Sequence, residues 1–323
     1  MEEAADHFSI TRMVRNPVSL TVRVPASTSN LGPGFDCFSL ALQLYLTVTA
    51  TVVPDGSEPC TVSSAGEGEG DELPSTADNL IFRAMCFATE REGLQLPPIR
   101  LDVHNDVPLG RGLGSSAAAI VAGVTLGSLV CDRELSRETV LRYAFEMEGH
   151  ADNVAAALYG GWVVTCVKPD GDVVALKRGW PPELKVIVVS PEVPLKTTDA
   201  RSVLPSVVDR VDALYNLQRV ALFGAALEAR AYDHIWEAMQ DRLHQPQRQF
   251  LVPGLSEILA TPRQPGLVGL ALSGSGPSVT ALATDHVAAI GEMIANSFRR
   301  HGMGATVRVL EVDREGLKMK LGQ

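Results

Sequence analysis

The stretch from Pro108 to Ala118 (Pro108, Leu109, Gly110, Arg111, Gly112, Leu113, Gly114, Ser115, Ser116, Ala117, Ala118) restricts this chain more than any other. Three glycines alternate with other residues, then give way to two hydroxyls and a run of helix formers. Glycine tolerates positive φ, so such a backbone can fold into a nest whose N–H groups converge on one point. A helix opening near Ser115 adds its own unpaired N–H groups and the positive end of its dipole. Together these features bind phosphate. The spacing of Ala117, Ile120, Val121 and Val124 predicts a helix packed on one face.

Two familiar phosphate loops do not fit. A Walker loop ends in Gly-Lys-Ser/Thr, whereas Gly114 is followed directly by Ser115. A dinucleotide fingerprint requires a second strand with an acidic residue about 20 positions on. Here Cys131 to Ser136 opens another helix instead. A mere Gly/Ser linker is disfavoured because the polar break turns at once into an apolar helix.

Composition narrows the partners. The 323 residues suffice for one large or two ordinary domains. The 38 acidic residues outweigh 28 basic ones, for a net charge of −10, and no basic block appears, so a nucleic-acid surface is not expected. Cys37, Cys60, Cys86, Cys131 and Cys166 are scattered, odd in number and without a Cys-x-x-Cys pair. They read as reduced thiols in a cytoplasmic protein. Met1 to Asn16 carries no apolar run long enough for a signal peptide or membrane span, and no membrane partner is expected.

Along the chain, residues 1–17 read as an extension, 18–182 as a first domain and 183–323 as a second, with the break at Trp180-Pro181-Pro182. Strands are expected at 19–24, 40–53 and 99–105, and a strand pair within 54–74. A helix over 78–92 would be capped by Asp78 or Thr76, and further helices fall near 115–130 and 136–148, the latter capped by Ser136. Strands follow near 162–168 and 172–177. The second half predicts strands at 186–190, 267–272, 278–283 and 305–312, with helices at 206–227, 229–240, 253–260 and 286–301. This mixture is α+β.

The glycine string resembles the ATP loop of the GHMP kinases, which reads Pro-x-x-x-Gly-Leu-Gly-Ser-Ser-Ala. Two further matches stand in the right order: Val24 to Asp36, containing Ser29-Asn30-Leu31-Gly32-Pro33-Gly34-Phe35-Asp36, and Leu272 to Ser278. Within that family the first motif looks most like that of the homoserine kinases. The resemblance implies a two-domain fold, with a left-handed βαβ unit in the N-terminal domain and a ferredoxin-like α/β sandwich in the C-terminal one. It implies ATP and Mg²⁺ as cofactors, L-homoserine as acceptor, and a homodimer.

The resemblance also distributes roles. The loop 108–118 would hold ATP, with Asn79 against adenine unless it only supplies polarity to a first helical turn. Ser115 either caps the following helix or touches phosphate. Ser116 and Glu148 would serve the metal, with Glu146 as the alternative carboxylate. His150, Asp152 and Asn153 fall beside the acceptor hydroxyl. Either Asp152 takes the proton, or Asn153 orients the hydroxyl while the proton leaves to phosphate or water; the second is favoured, because a loose transition state needs little base. Arg201 and Arg248 would grip a carboxylate, which guanidinium forks match well. Asp36, beside Asn30, would receive the ammonium. His150 is either structural or a substrate contact. The turn 273–278 would close the site over the loop.

The rivals are another GHMP kinase for a small alcohol and a nucleotide-binding regulator without catalysis. The first lacks a reason for two arginines and Asp36; the second lacks one for Ser116, Glu148 and Asn153. Serine-hydrolase and zinc readings fail, since neither a Gly-x-Ser-x-Gly elbow nor His-Glu-x-x-His is present.

Overall fold

Leu20, Val22 and Val24 are buried while Thr21 and Arg23 face outward, the period of two that makes β1 (Ser19–Asn30) a strand over a core. The computed structural model describes residues 19–70 and 73–321. β1 runs antiparallel to β2 (Gly34–Val52), a long strand that changes partner along its length. Its second part, Leu46–Val52, pairs with β4 (Ile99–Asn105), which lies parallel to β3 (Cys60–Gly66). Its first part, Phe38–Leu40, pairs with β5 (Trp162–Val167), followed by β6 (Val173–Arg178). Register shifts at Pro25/Ala26 and Ser29/Asn30 accompany this change and re-aim the end of β1.

Four helices cover one face of this sheet: α1 (Leu80–Arg91), α2 (Ser115–Leu129), α3 (Arg137–Glu148) and α4 (Asp152–Tyr159). The spacing in α2 predicted burial on one face, yet all residues from Ala117 to Ser128 except Ala119 are buried. A helix apolar all round belongs inside, and α2 lies among α1, α3, α4 and β1. Gly123 and Gly127 permit this: a Cβ on Gly123 would stand 2.3 Å from the Ile81 carbonyl oxygen.

The second sheet is antiparallel, in the order β10 (Ala305–Leu310), β7 (Lys185–Pro191), β9 (Val279–Ala283), β8 (Leu267–Leu272). With α6 (Arg210–Glu228) between β7 and β8, and α10 (Val287–Arg300) between β9 and β10, the sequence order is βαββαβ, the ferredoxin-like arrangement. One face packs on α10 through Ile187, Val189, Ile294 and Phe298. The other shares a core with the first sheet, where Val186, Val188 and Leu282 meet Leu31, Leu40, Leu42, Trp162 and Phe223.

Several expectations need correction. Among its described residues the segment 54–74 holds one strand, not a pair, because β3 finds its partner in β4 across α1. The cap of α1 is Asn79, whose Oδ1 accepts the Ile81 N–H at 3.0 Å. The helix expected at 229–240 is a 3₁₀ turn at Tyr232–His234 and the single turn α7 (Ile235–Ala238). The one expected at 253–260 is the short α9 (Leu255–Leu259). Two short helices, α5 (Thr197–Ser202) and α8 (Gln245–Arg248), were not expected, being too brief for a periodic pattern. The last described strand, β11 (Lys318–Leu321), returns to the first sheet and pairs with β1. The extension expected at 1–17 lies outside the described residues.

Gly123 yields a test of the packing. In an exposed helix Gly→Ala gains about 1 kcal/mol. Here the new methyl meets backbone that cannot turn away. Overpacking costs about 1–3 kcal/mol, so Gly123→Ala should lose up to about 2 kcal/mol net in urea unfolding.

Candidate active site

Gly110, Gly112 and Gly114 take φ of 62, 72 and 70°, the left-handed values the alternation anticipated. The carbonyls of this loop turn outward. Gly110 O accepts from Leu195 N at 2.8 Å, Arg111 O from Ser278 N at 3.3 Å, Gly112 O from Ser273 Oγ at 2.6 Å and Leu113 O from Ser27 N at 3.0 Å. The N–H groups of Gly112, Leu113, Gly114, Ser115 and Ser116 have no partner among the described residues. Gly114 occupies the N-cap of α2 and no side chain caps that helix, so Ser115 is not its cap. Donors left open at a helix start form an anion site. They border a cavity of about 700 Å³ to which both halves of the chain contribute.

At one side of that cavity, Ser116 Oγ donates to Glu148 Oε1 at 2.6 Å. Glu146 instead pairs with Arg91 at 2.6 Å and does not line the cavity, which separates the two candidate carboxylates. Among the described residues no cluster of three metal-ligating side chains occurs. One carboxylate and one hydroxyl suit a hard cation that takes its remaining oxygens from water and phosphate.

Gly149 ends α3 with φ 83°, and the chain turns into α4. Ala151 takes the N-cap position, and Asp152 and Asn153 open the first turn of α4. His150 Nδ1 lies 2.8 Å from Asp152 Oδ1, and its Nε2 lies 3.6 Å from Glu148. Burial alone would lower the imidazole, but the Asp152 hydrogen bond and the charges of Asp152 and Glu148 outweigh it and raise His150 above the usual histidine range. Asp152 Oδ1 also accepts the Asn153 N–H at 2.8 Å. Asn153 is locked: Oδ1 accepts from Ser27 Oγ at 2.8 Å and Nδ2 donates to Ser29 Oγ at 3.0 Å.

Across the cavity, Arg201 holds Asp36 in a bidentate pair, Nη1–Oδ2 3.0 Å and Nη2–Oδ1 2.7 Å. Asp36 has φ 54°, and its N–H donates to Asn30 Oδ1 at 3.1 Å. Arg248 is buried; Nε donates to Ala200 O at 3.0 Å and Nη1 to His244 Nδ1 at 3.1 Å. His244 Nε2 donates to Gly32 O at 2.8 Å, which fixes the neutral tautomer, and complete burial holds its pKa down. Asp241, accepting the N–H groups of Leu243, His244 and Gln245, starts α8. Burial, then the Arg201 charge, pushes Arg248 down to about 10.

The N-terminal GHMP kinase domain model matches residues 79–161, and the C-terminal one matches 213–300. The chain belongs to the GHMP kinase family. A curated homoserine kinase of Desulfitobacterium hafniense is 40% identical over 91% of this chain and 98% of its own length. One of Solibacter usitatus is 38% identical over 92% and 96%. The crystal structure of homoserine kinase from Cytophaga hutchinsonii superposes with a TM-score of 0.83 at 29% identity, covering 97% of this chain and all of that one. Lactococcus lactis galactokinase shares the fold alone, with a TM-score of 0.63 at 11% identity over 93% and 95%.

Most of the residues singled out in this GHMP chain do meet at one cavity: Asn30, Asp36, Asn79, Pro108 to Ser116, Glu148, His150, Asp152, Asn153, Arg201 and Arg248 all line it. Ala117 and Ala118 do not; both are fully buried in the helical core, where they seat α2. Asn79 accepts the Ile81 N–H with Oδ1 as the cap of α1 and donates Nδ2 to Pro74 O at 2.8 Å. Ser27, Ser29 and Phe35 were overlooked, though all lie inside the motif that carried the resemblance. Ser27 and Ser29 alternate on β1 and so share a face, a signal legible in advance.

The loop geometry yields a test. A Cβ on Gly114 would stand 2.2 Å from Ser27 Oγ and 3.2 Å from Asn153 Oδ1. Gly114→Ala should therefore weaken ATP at least about tenfold in titration calorimetry, through strain at positive φ and a displaced Ser27. Unchanged affinity in a folded variant would reject the nest.

Proposed function

We propose that this chain transfers the γ-phosphoryl group of ATP to the side-chain hydroxyl of L-homoserine, giving O-phospho-L-homoserine for threonine biosynthesis. One observation carries the reading: an anion nest and a charge set for an amino-acid zwitterion, Asp36 with Arg201 and Arg248, border the same cavity. Full-length likeness to curated homoserine kinases supports it. Neither a sugar nor mevalonate has an ammonium for Asp36 to receive.

Phosphoryl transfer asks chiefly for positioning and for charge neutralisation. The open N–H groups of 112–116 receive phosphate oxygens, with the dipole of α2 behind them. Ser116 and Glu148 would hold Mg²⁺, which supplies positive charge to the phosphates when bound. Asn153, immobilised by Ser27 and Ser29, orients the acceptor hydroxyl. Asp152 already accepts hydrogen bonds from His150 and from the Asn153 N–H, and His150 beside it favours the proton. Asp152 Oδ1 is thus committed to His150 and to the backbone of Asn153, which supports orientation by Asn153 over proton removal by Asp152. The proton then leaves with phosphate oxygen or water. Five free cysteines suit a reducing cytoplasm, and no described helix is long and apolar enough to cross a membrane.

A coupled assay should find ADP release dependent on L-homoserine and absent with mevalonate or galactose; the reverse would sink the assignment. Asn153→Ala should lower kcat more than it raises the homoserine KM. Asp152→Asn should keep most of kcat, because a true general base typically contributes about 100- to 10,000-fold. A folded but dead Asp152→Asn beside an active Asn153→Ala would restore the base mechanism.

The proposal extends to a homodimer. Val207, Val211, Leu214 and Leu217 expose apolar side chains before and along α6, a row that a second copy would cover. Light scattering on a size-exclusion column should return twice the 34.5 kDa chain mass, and Leu217→Glu should lower it. A wild-type monomer would exclude the dimer.

A further inference from the structure

We infer that the Asp36–Arg201 ion pair is a latch that a zwitterion exchanges for bonds to itself, and that this exchange selects amino-acid alcohols over alcohols of a single charge. The inference rests on the kinase reading above. Asp36 and Arg201 are the groups suited to opposite ends of one substrate, yet each is already satisfied by the other through two short bonds. An ammonium arriving at Asp36 releases the guanidinium, and a carboxylate arriving at Arg201 takes it up. An alcohol with only one of these charges opens the pair and leaves the other ion to solvent alone, whereas a zwitterion re-pairs both.

The elements around the pair differ in the freedom this exchange requires. Arg201 rides on α5, six residues long, with no side-chain cap and Ala200 as its buried residue. Both partners are 37% exposed, so the pair stands at the cavity wall, open to solvent and substrate. Arg248 is 2% exposed and tied to Ala200 O, His244 Nδ1 and Gly274 O. Asp36 is held through Asn30. The site thus has one fixed guanidinium, one carboxylate anchored through its backbone N–H and one guanidinium free to change partner. The Phe35 ring lies 5.5 Å from the Arg201 guanidinium carbon and 5.2 Å from that of Arg248, and keeps both on one side. Burial first and then the repulsion between these two cations lower the pKa of Arg248, and Asp36 is the foremost of the carboxylates offsetting them, ahead of Asp241 and Asp152. A substrate carboxylate between the arginines would take over that office when Asp36 turns to the ammonium.

Binding of three ligands tests the latch without turnover: L-homoserine, 4-hydroxybutanoate (no ammonium) and 3-aminopropan-1-ol (no carboxylate). Each is titrated calorimetrically into the full chain with a non-hydrolysable ATP analogue and Mg²⁺. The wild type should bind both analogues about ten- to a hundredfold more weakly than L-homoserine. Asp36→Asn frees Arg201 and suits the left-handed backbone at this position. It should weaken L-homoserine yet bind 4-hydroxybutanoate about tenfold more tightly than the wild type does. Arg201→Leu frees Asp36 and should tighten 3-aminopropan-1-ol in the same way. Arg201 lies on the short α5, partly exposed and away from the left-handed backbone at position 36, so this arm is independent of the folding of Asp36→Asn. No gain for either analogue in folded variants overturns the latch. Failure of the wild type to phosphorylate L-homoserine counts against the kinase reading, whereas the variant-to-wild-type ratios for the analogues judge the latch alone.

Discussion

Four successive carbonyls, from Gly110 to Leu113, are each claimed by a different contact: Leu195 ahead of α5, Ser278 and Ser273 flanking the late glycine turn, and Ser27 on β1. This outward turning of oxygen leaves the N–H groups facing the cavity, and it needs the three left-handed glycines. Everything the site does depends on it. The same bonds tie the loop to both halves of the chain, so phosphate donors and substrate charges sit in a fixed relation. A Cβ on Gly112 would stand 2.2 Å from Ser273 O, a measure of how tightly the late turn closes on the loop.

Packing supplies the rigidity behind that geometry. α2 is surrounded by α1, α3, α4 and β1, and its open N-terminus is therefore aimed and not merely placed. The shared core of Leu31, Leu40, Trp162, Phe223 and Val188 joins the two sheets beneath the cavity. β11, pairing with β1 after the chain has crossed the second sheet, binds the halves a second time. With the sheets so joined, the exchangeable part is confined to the short α5 and its arginine.

Charge in the site is arranged as two linked chains of contacts. On the phosphate side Ser116, Glu148, His150 and Asp152 follow one another, and His150 is held toward its protonated form by the two carboxylates. On the substrate side Asp36 and Arg201 close on each other while Arg248 is fixed through neutral His244. Asn153 stands between, its amide held at both ends by two serines of β1, with one N–H and one lone pair left for the acceptor hydroxyl. An uncharged orienter, placed where a carboxylate might have served as base, matches a reaction in which alignment matters more than proton removal.

The sequence alone determined the long elements, the loop and the family. Period-two burial, capped helical runs such as Ser136 before α3, and alternating glycines are local properties, set within a few residues by sterics and hydrogen bonding. Three ordered motifs pointed to the family, and the resemblance directed attention to residues that line the cavity. What tertiary structure decided was how those residues pair. Glu146 and Glu148 are equivalent on paper, and only the packing of α3 against α1 gives the first to Arg91 and the second to Ser116. Asp36 and Arg201 were assigned to opposite ends of a substrate, and only the fold brings them into contact with each other across 165 positions of sequence. β11 and the short α5 and α8 were likewise invisible, since a four- to six-residue element has no period to read and is held by distant partners. Local sterics can be read along a chain, whereas a side chain's partner is fixed by which distant surfaces pack together.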